Sequence, residues 1–128
     1  MIVAGVGCRR DAGAPDIEAA IRAALARAGV TPDALDAIAT TAAKQGDIAI
    51  DAAAATFGVA VILVPEPELK AAGERTETKS ERVLALTGVP SVAEAAALAA
   101  AGPSARLLSS RLVVGSATCA VAASEAAP

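Results

Sequence analysis

Three short, mostly apolar segments, Ile2–Val6, Asp36–Thr40 and Val59–Val64, alternate along the first half of the chain with two segments of helical periodicity. In the first of these, Ile17, Ala20, Ile21, Ala24, Leu25 and Ala28 recur at helical spacing, opened by Pro15 and stopped by Gly29. In the second, Asp47–Phe57 predicts a helix with Ile48, Ala52, Ala55 and Thr56 on one side and Gly58 at its end. Val59–Val64 is an unbroken apolar run closed by Pro65, which reads as the clearest buried strand of the chain. A β-α-β-α-β order predicts a mostly parallel sheet with helices on its faces, because each helix carries the chain back across the sheet.

The second half is punctuated differently. A short helix is expected from Pro67-Glu68-Leu69-Lys70, and the charged stretch Gly73–Lys79 reads as a mobile loop. Ser80 is placed to cap a helix that Gly88 ends, and Ser91 to cap one running from Val92 to about Ala100. Ser91 and Glu94 have capping-box spacing, in which case Glu94→Gln keeps most of the stability. Two strands, Arg106–Val114 and Ala117–Ala123, flank a tight Gly115-Ser116 turn and predict an antiparallel hairpin. The expected fold is therefore one three-layer α/β/α domain over residues 1–123, with a mixed, mostly parallel sheet, a C-terminal hairpin and a frayed tail at 124–128.

Composition narrows the function. Of the 128 residues, 55% are hydrophobic but only 1% aromatic, so the core is built from Val, Leu, Ile and Ala. A net charge of −3 argues against a nucleic-acid footprint, and Phe57 alone makes no stacking platform for single strands. No run approaches the roughly 18 apolar residues of a membrane span, and no signal-peptide pattern opens the chain. Cys8 and Cys119 read as free thiols in a reducing compartment, so a soluble cytoplasmic protein is expected, with no nucleic-acid or membrane partner. The chain has no His, the commonest metal ligand and neutral-pH base, and no cofactor or metal site is expected.

Chemistry concentrates at Gly5-Val6-Gly7-Cys8-Arg9-Arg10, where the first strand meets two glycines and two guanidinium groups. The pattern fits a loop that cradles an anion with backbone amides, Arg9 and Arg10. It also fits a plain strand-to-helix turn. A dinucleotide site lacks its third glycine, since position 10 is Arg. Cys8, beside arginines and a helix start, is expected to have a depressed pKa, although no His is present to activate it. Lys44 follows the second strand and is either solvated or aimed into the same crevice. Ser80 is either a cap or a ligand-binding hydroxyl beside Lys79, and Glu94 either a capping residue or a catalytic carboxylate. Cys119 reads as a small core residue.

These segments, with Gly88-Val89-Pro90-Ser91-Val92-Ala93-Glu94-Ala95-Ala96-Ala97-Leu98 and the closing Thr118-Cys119-Ala120-Val121-Ala122, resemble the CobE/CbiG C-terminal domain family of cobalamin biosynthesis over nearly the whole chain. Asp47 stands where the family commonly has Glu, and Arg111 where Lys is common. Longer members resemble hydrolases that open the ring-A lactone of cobalt-precorrin-5A and release acetaldehyde. This chain starts directly at the domain and so resembles the short, CobE-like form. The resemblance implies a precorrin or other corrinoid as ligand, and another cobalamin-pathway enzyme as a possible partner. Gly5, Gly7, Cys8, Arg9, Arg10, Lys44 and Ser80 are then the expected ligand-binding residues, with Glu94 and Cys8 the candidates for any catalytic role. Precorrins carry many carboxylates, which suits the basic residues, while the lack of His argues against protein ligation of cobalt through imidazole.

Overall fold

A computed structural model describes residues 1–124. Of the tail expected at 124–128, residues 125–128 lie outside the described residues. Ser124 is described: its N–H donates to the Met1 carbonyl, and its hydroxyl accepts from the N-terminal ammonium.

The strands are β1 (Ile2–Cys8), β2 (Ala37–Thr41), β3 (Ala60–Val64), β4 (Arg106–Val114) and β5 (Ala117–Ala123). The helices are α1 (Ala14–Ala28), α2 (Ile48–Phe57), α3 (Glu66–Gly73), α4 (Glu81–Thr87) and α5 (Val92–Ala101). One mixed sheet has the order β3-β2-β1-β5-β4. β1 pairs parallel with β2, and β2 with β3, while β5 lies antiparallel to both β1 and β4. Helices α1 and α2 cover one face, burying Ile17, Ile21, Leu25 and Ile50 against Val6, Ile38, Cys119 and Val121. Helices α3 and α5 cover the other, with Leu69 and Leu98 against Val3, Ala39, Val64 and Ala122. This is a three-layer α/β/α domain. Among the described residues, no single helix is long and apolar enough to cross a membrane.

Local chemistry explains the helix limits. Asp47, Ser80 and Ser91 each accept a backbone N–H three residues on, and Gly29, Gly58 and Gly88 close α1, α2 and α4 in the left-handed conformation.

Three expectations are corrected. β1 runs on to Cys8, so Gly5 and Gly7 are strand residues and not a loop. Gly5 is needed for packing: a Cβ there would sit 1.9 Å from the Ala93 carbonyl oxygen and 2.7 Å from the Ala97 nitrogen, so α5 rests directly on the strand backbone. β3 is an edge strand, with Ala60 exposed and Val61 to Leu63 half-buried. A continuous apolar run reports cover on both faces, not a central place in the sheet. Finally, α2 buries Ile50, Ala53 and Ala54, while Ile48, Ala52, Ala55 and Thr56 face solvent. Its sequence is almost entirely small or apolar, so periodicity does not distinguish its sides.

Candidate functional site

The site arises where β1 and β2 part. Their parallel pairing extends only to Gly5 opposite Ala39. Beyond that point β1 follows β5 as far as Cys8 opposite Ala117, while β2 follows β3 to Thr41 opposite Val64. Thr40, fully buried, spans the parting, and its hydroxyl donates to the Val6 carbonyl at 2.8 Å. A gap between diverging strands at their carboxyl ends is where open α/β sheets hold ligands.

Adjoining clefts follow this edge. One of about 400 Å³ lies between the end of β1, the β4–β5 hairpin and α4, with Arg9 and Arg111 among apolar Val83, Leu86, Val92 and Val113. A second, of about 480 Å³, shares Leu86, Thr87 and Val92 and reaches Thr41–Ala43. A third, of about 320 Å³, is lined by Arg10, Lys44 and Asp47. Among the described residues, Lys70–Glu66 on α3 is the one ion pair within 4 Å, so Arg9, Arg10, Lys44 and Arg111 have no carboxylate partner at that distance. Leu86, Val113 and Ile48 stand 74%, 58% and 84% exposed around the same edge. Isolated exposed apolar residues are ordinary. Leu86 and Val113, together in the cleft that holds Arg9 and Arg111, suit a ligand with an apolar body and anionic arms, while Ile48 borders a separate cleft beside Arg10 and Asp47.

The hairpin wall is held from below. Ser116 donates its N–H and hydroxyl to Asp16 of α1, at 3.0 and 2.7 Å. These bonds hold the Asp16 carboxyl below the ordinary carboxylate range. Thr118 donates to the Gly7 carbonyl at 3.1 Å, and a Cβ on Gly7 would come within 2.8 Å of that hydroxyl oxygen.

Of the residues expected from sequence, Gly7, Cys8, Arg9, Arg10 and Lys44 gather at this edge. Gly5 does not: it is buried beneath α5. Ser80 lines none of these clefts, and its hydroxyl accepts the Val83 N–H as a cap. The Cys8 thiol is pushed up, contrary to expectation. Burial outweighs the pull of the Lys44 cation, and Asp47 adds to the rise. Cys119 is fully buried and also pushed up by burial.

Glu94 is neither a capping-box carboxylate nor open to the crevice. Ser91 does accept the Glu94 N–H at 3.2 Å, which is half of the box. The Glu94 carboxylate turns the other way and is fully buried. One oxygen accepts the N–H groups of Glu77 and Thr78, at 2.7 and 3.0 Å. The other accepts the Thr78 hydroxyl, and the Arg111 N–H at 2.8 Å. β4 shifts register against β5 between Ser109 and Leu112, and a bulge frees backbone groups from the ladder. Glu94 satisfies the N–H released at Arg111. Burial alone would raise its pKa, but the bonds from Thr78, Arg111 and Glu77 prevail and hold it below the usual value. The stretch expected to be a mobile loop is therefore anchored: Gly73 and Thr76 are buried, and Thr76 donates to the Gly73 carbonyl. Periodicity cannot reveal such a buried carboxylate, because its partners lie 16 and 17 residues away.

Residues 2–122 match the family model for the cobalamin synthesis G C-terminus. The chain belongs to this family. The CobE/CbiG-type chain is 40% identical to Protein CobE of Sinorhizobium sp over 121 residues, which is 94% of this chain and 79% of that protein. The crystal structure of CobE, a protein from the cobalamin (vitamin B12) biosynthetic pathway, superposes with a TM-score of 0.87 at 32% identity, covering 95% of this chain and 89% of that one. Cobalamin biosynthesis protein chiG from Agrobacterium tumefaciens gives a TM-score of 0.78 at 42% identity, covering 98% and 100%. This is a cobalamin biosynthesis protein of the CobE/CbiG type, and its α/β fold is that of its relatives.

Proposed function

We propose that the crevice binds a polycarboxylated corrinoid intermediate, which the protein holds or hands to another enzyme of the pathway. The observation that carries this reading is the set of four cations, Arg9, Arg10, Lys44 and Arg111, spread along one edge and without a carboxylate within 4 Å among the described residues: Arg9 and Arg111 line an apolar cleft, Arg10 and Lys44 a polar one. A precorrin presents an apolar ring with carboxylate arms at its rim. Leu86, Val92 and Val113 suit the ring, and the guanidinium and ammonium groups suit the arms.

The alternative is a cobalt-precorrin-5A-hydrolase-like enzyme that opens a ring lactone. It requires an activated nucleophile or a base beside the ligand. Glu94 is buried with both oxygens occupied, and the Cys8 thiol is pushed towards its protonated form. Both facts favour binding over hydrolysis.

The probe is cobyrinic acid, a corrin with free carboxylates, added to uniformly 15N-labelled protein. Perturbed amides are expected at residues 7–10, 43–47 and 111–118. Perturbation confined to the opposite, amino-terminal edge of the parallel strands would refute the reading.

A further inference from the structure

We propose that α4 is a lid on the crevice, hinged at Gly88 and at Lys79–Ser80, whose Val83 and Leu86 close over the apolar face of the bound ligand; this rests on the corrinoid-binding reading. The ends of the segment are fixed. Thr78 is tied to the buried Glu94 carboxylate through its N–H and its hydroxyl. Val89 is fully buried. Between these anchors, from Lys79 to Gly88, no residue is buried. A helix of seven residues has too few internal hydrogen bonds to stand alone, so α4 takes its order from its two ends.

The side chains of α4 are not those of a solvated helix. Leu84 and Leu86 are 47% and 74% exposed, and Val83 and Leu86 line the cleft of about 400 Å³ opposite Val113. Gly88 holds φ at +84°, a left-handed joint directly after the helix. Rotation about the two joints would change the width of the cleft, as hinged segments do in other proteins. At Gly88 it exchanges the latch formed by the Thr87 hydroxyl, which donates to the Val89 carbonyl at 3.0 Å and accepts the Val89 N–H at 3.3 Å, for cover of the ligand. The occupant is argued from charge. Among the described residues, the charged ones lining this cleft are Arg9 and Arg111, both cations; the Glu66 carboxylate lies on the adjoining cleft, where it is paired with Lys70. An anionic ligand with an apolar face meets both demands. Such a ligand would bury the Leu86 side chain, which is 74% exposed among the described residues.

Amide hydrogen exchange on the full chain, free and saturated with cobyrinic acid, tests the proposal. In the free protein, amides of residues 82–88 are expected to exchange much faster than those of α5. On saturation they should slow by about tenfold. Leu86→Ser, at an exposed position, should leave folding intact and speed dissociation of cobyrinic acid by about tenfold, the loss expected for one uncovered apolar contact. Binding without added protection of residues 82–88, or with dissociation unchanged in Leu86→Ser, overturns the lid and leaves the binding reading standing. Exchange of α4 as slow as that of α5 in the free protein also overturns it. If cobyrinic acid does not bind at all, the lid and the binding reading fall together.

Discussion

The buried carboxylate of Glu94 accepts the backbone N–H of Arg111 at 2.8 Å and so joins α5 to the bulged strand β4. The same carboxylate holds Glu77 and Thr78, so one side chain ties both β4 and the base of the α4 segment to α5. In Glu94→Gln an amide NH₂ replaces one of the oxygens. Whichever way it turns, it opposes a donor, since all the partners of the carboxylate donate. The substitution should cost about 2–4 kcal/mol in urea unfolding, where a capping-box role would cost almost nothing. A midpoint like that of wild type would contradict the clamp.

The pH dependence has a definite sign. The hydrogen bonds to its carboxylate hold the folded pKa of Glu94 below the ordinary glutamate value. Its stabilisation is therefore full above the unfolded carboxyl's pKa and is lost as pH falls through the lower, folded value. The stability gap between wild type and Glu94→Gln should hold constant from neutral pH to about pH 5 and shrink below about pH 4. Chemical denaturation at several pH values measures it, and a gap that widens in acid would reverse the assignment.

Gly5 separates packing from ligand binding. A methyl group there meets the backbone of α5, which cannot move aside without leaving the sheet. Gly5→Ala should destabilise by about 3 kcal/mol, as severe overpacking does. An alanine variant of wild-type stability that no longer binds corrinoid would restore Gly5 to the site.

Charge reversal should act in the opposite way. Arg9 is exposed and Lys44 partly so, and neither is ion-paired within 4 Å among the described residues. Arg9→Glu and Lys44→Glu should each change stability by no more than about 0.5 kcal/mol. Each should weaken cobyrinic acid binding by about 1–3 kcal/mol, the worth of a charge-assisted hydrogen bond. Thermal melts and titrations together check this pair of outcomes, and unchanged affinity in both variants would move the site elsewhere.

The elements were legible because their signals are local. Asp47, Ser80 and Ser91 cap the helices that follow them, Gly29, Gly58 and Gly88 end theirs, and Gly115-Ser116 turns the hairpin. The cluster of Cys8, Arg9, Arg10 and Lys44 was legible because loops after parallel strands share one edge. Long-range relations were not legible. Nothing in β5 says that it inserts between β1 and β4, and that placement brings Arg111 to the crevice. The burial of Thr40 and Glu94 depends on partners distant in sequence. Gly5 looks the same whether it faces a ligand or a helix, and α5 supplies the answer.

The most direct test of the account is a calorimetric titration of the full chain with cobyrinic acid and, separately, with its fully methylated ester. The ring is the same and the anionic arms are removed. If Arg9, Arg10, Lys44 and Arg111 hold carboxylates, the acid should bind at least about tenfold more tightly than the ester, equivalent to one or more contacts of about 1.4 kcal/mol. That preference should shrink with added salt, since these groups are partly exposed. Equal affinity for acid and ester, or a preference that salt leaves untouched, would contradict it.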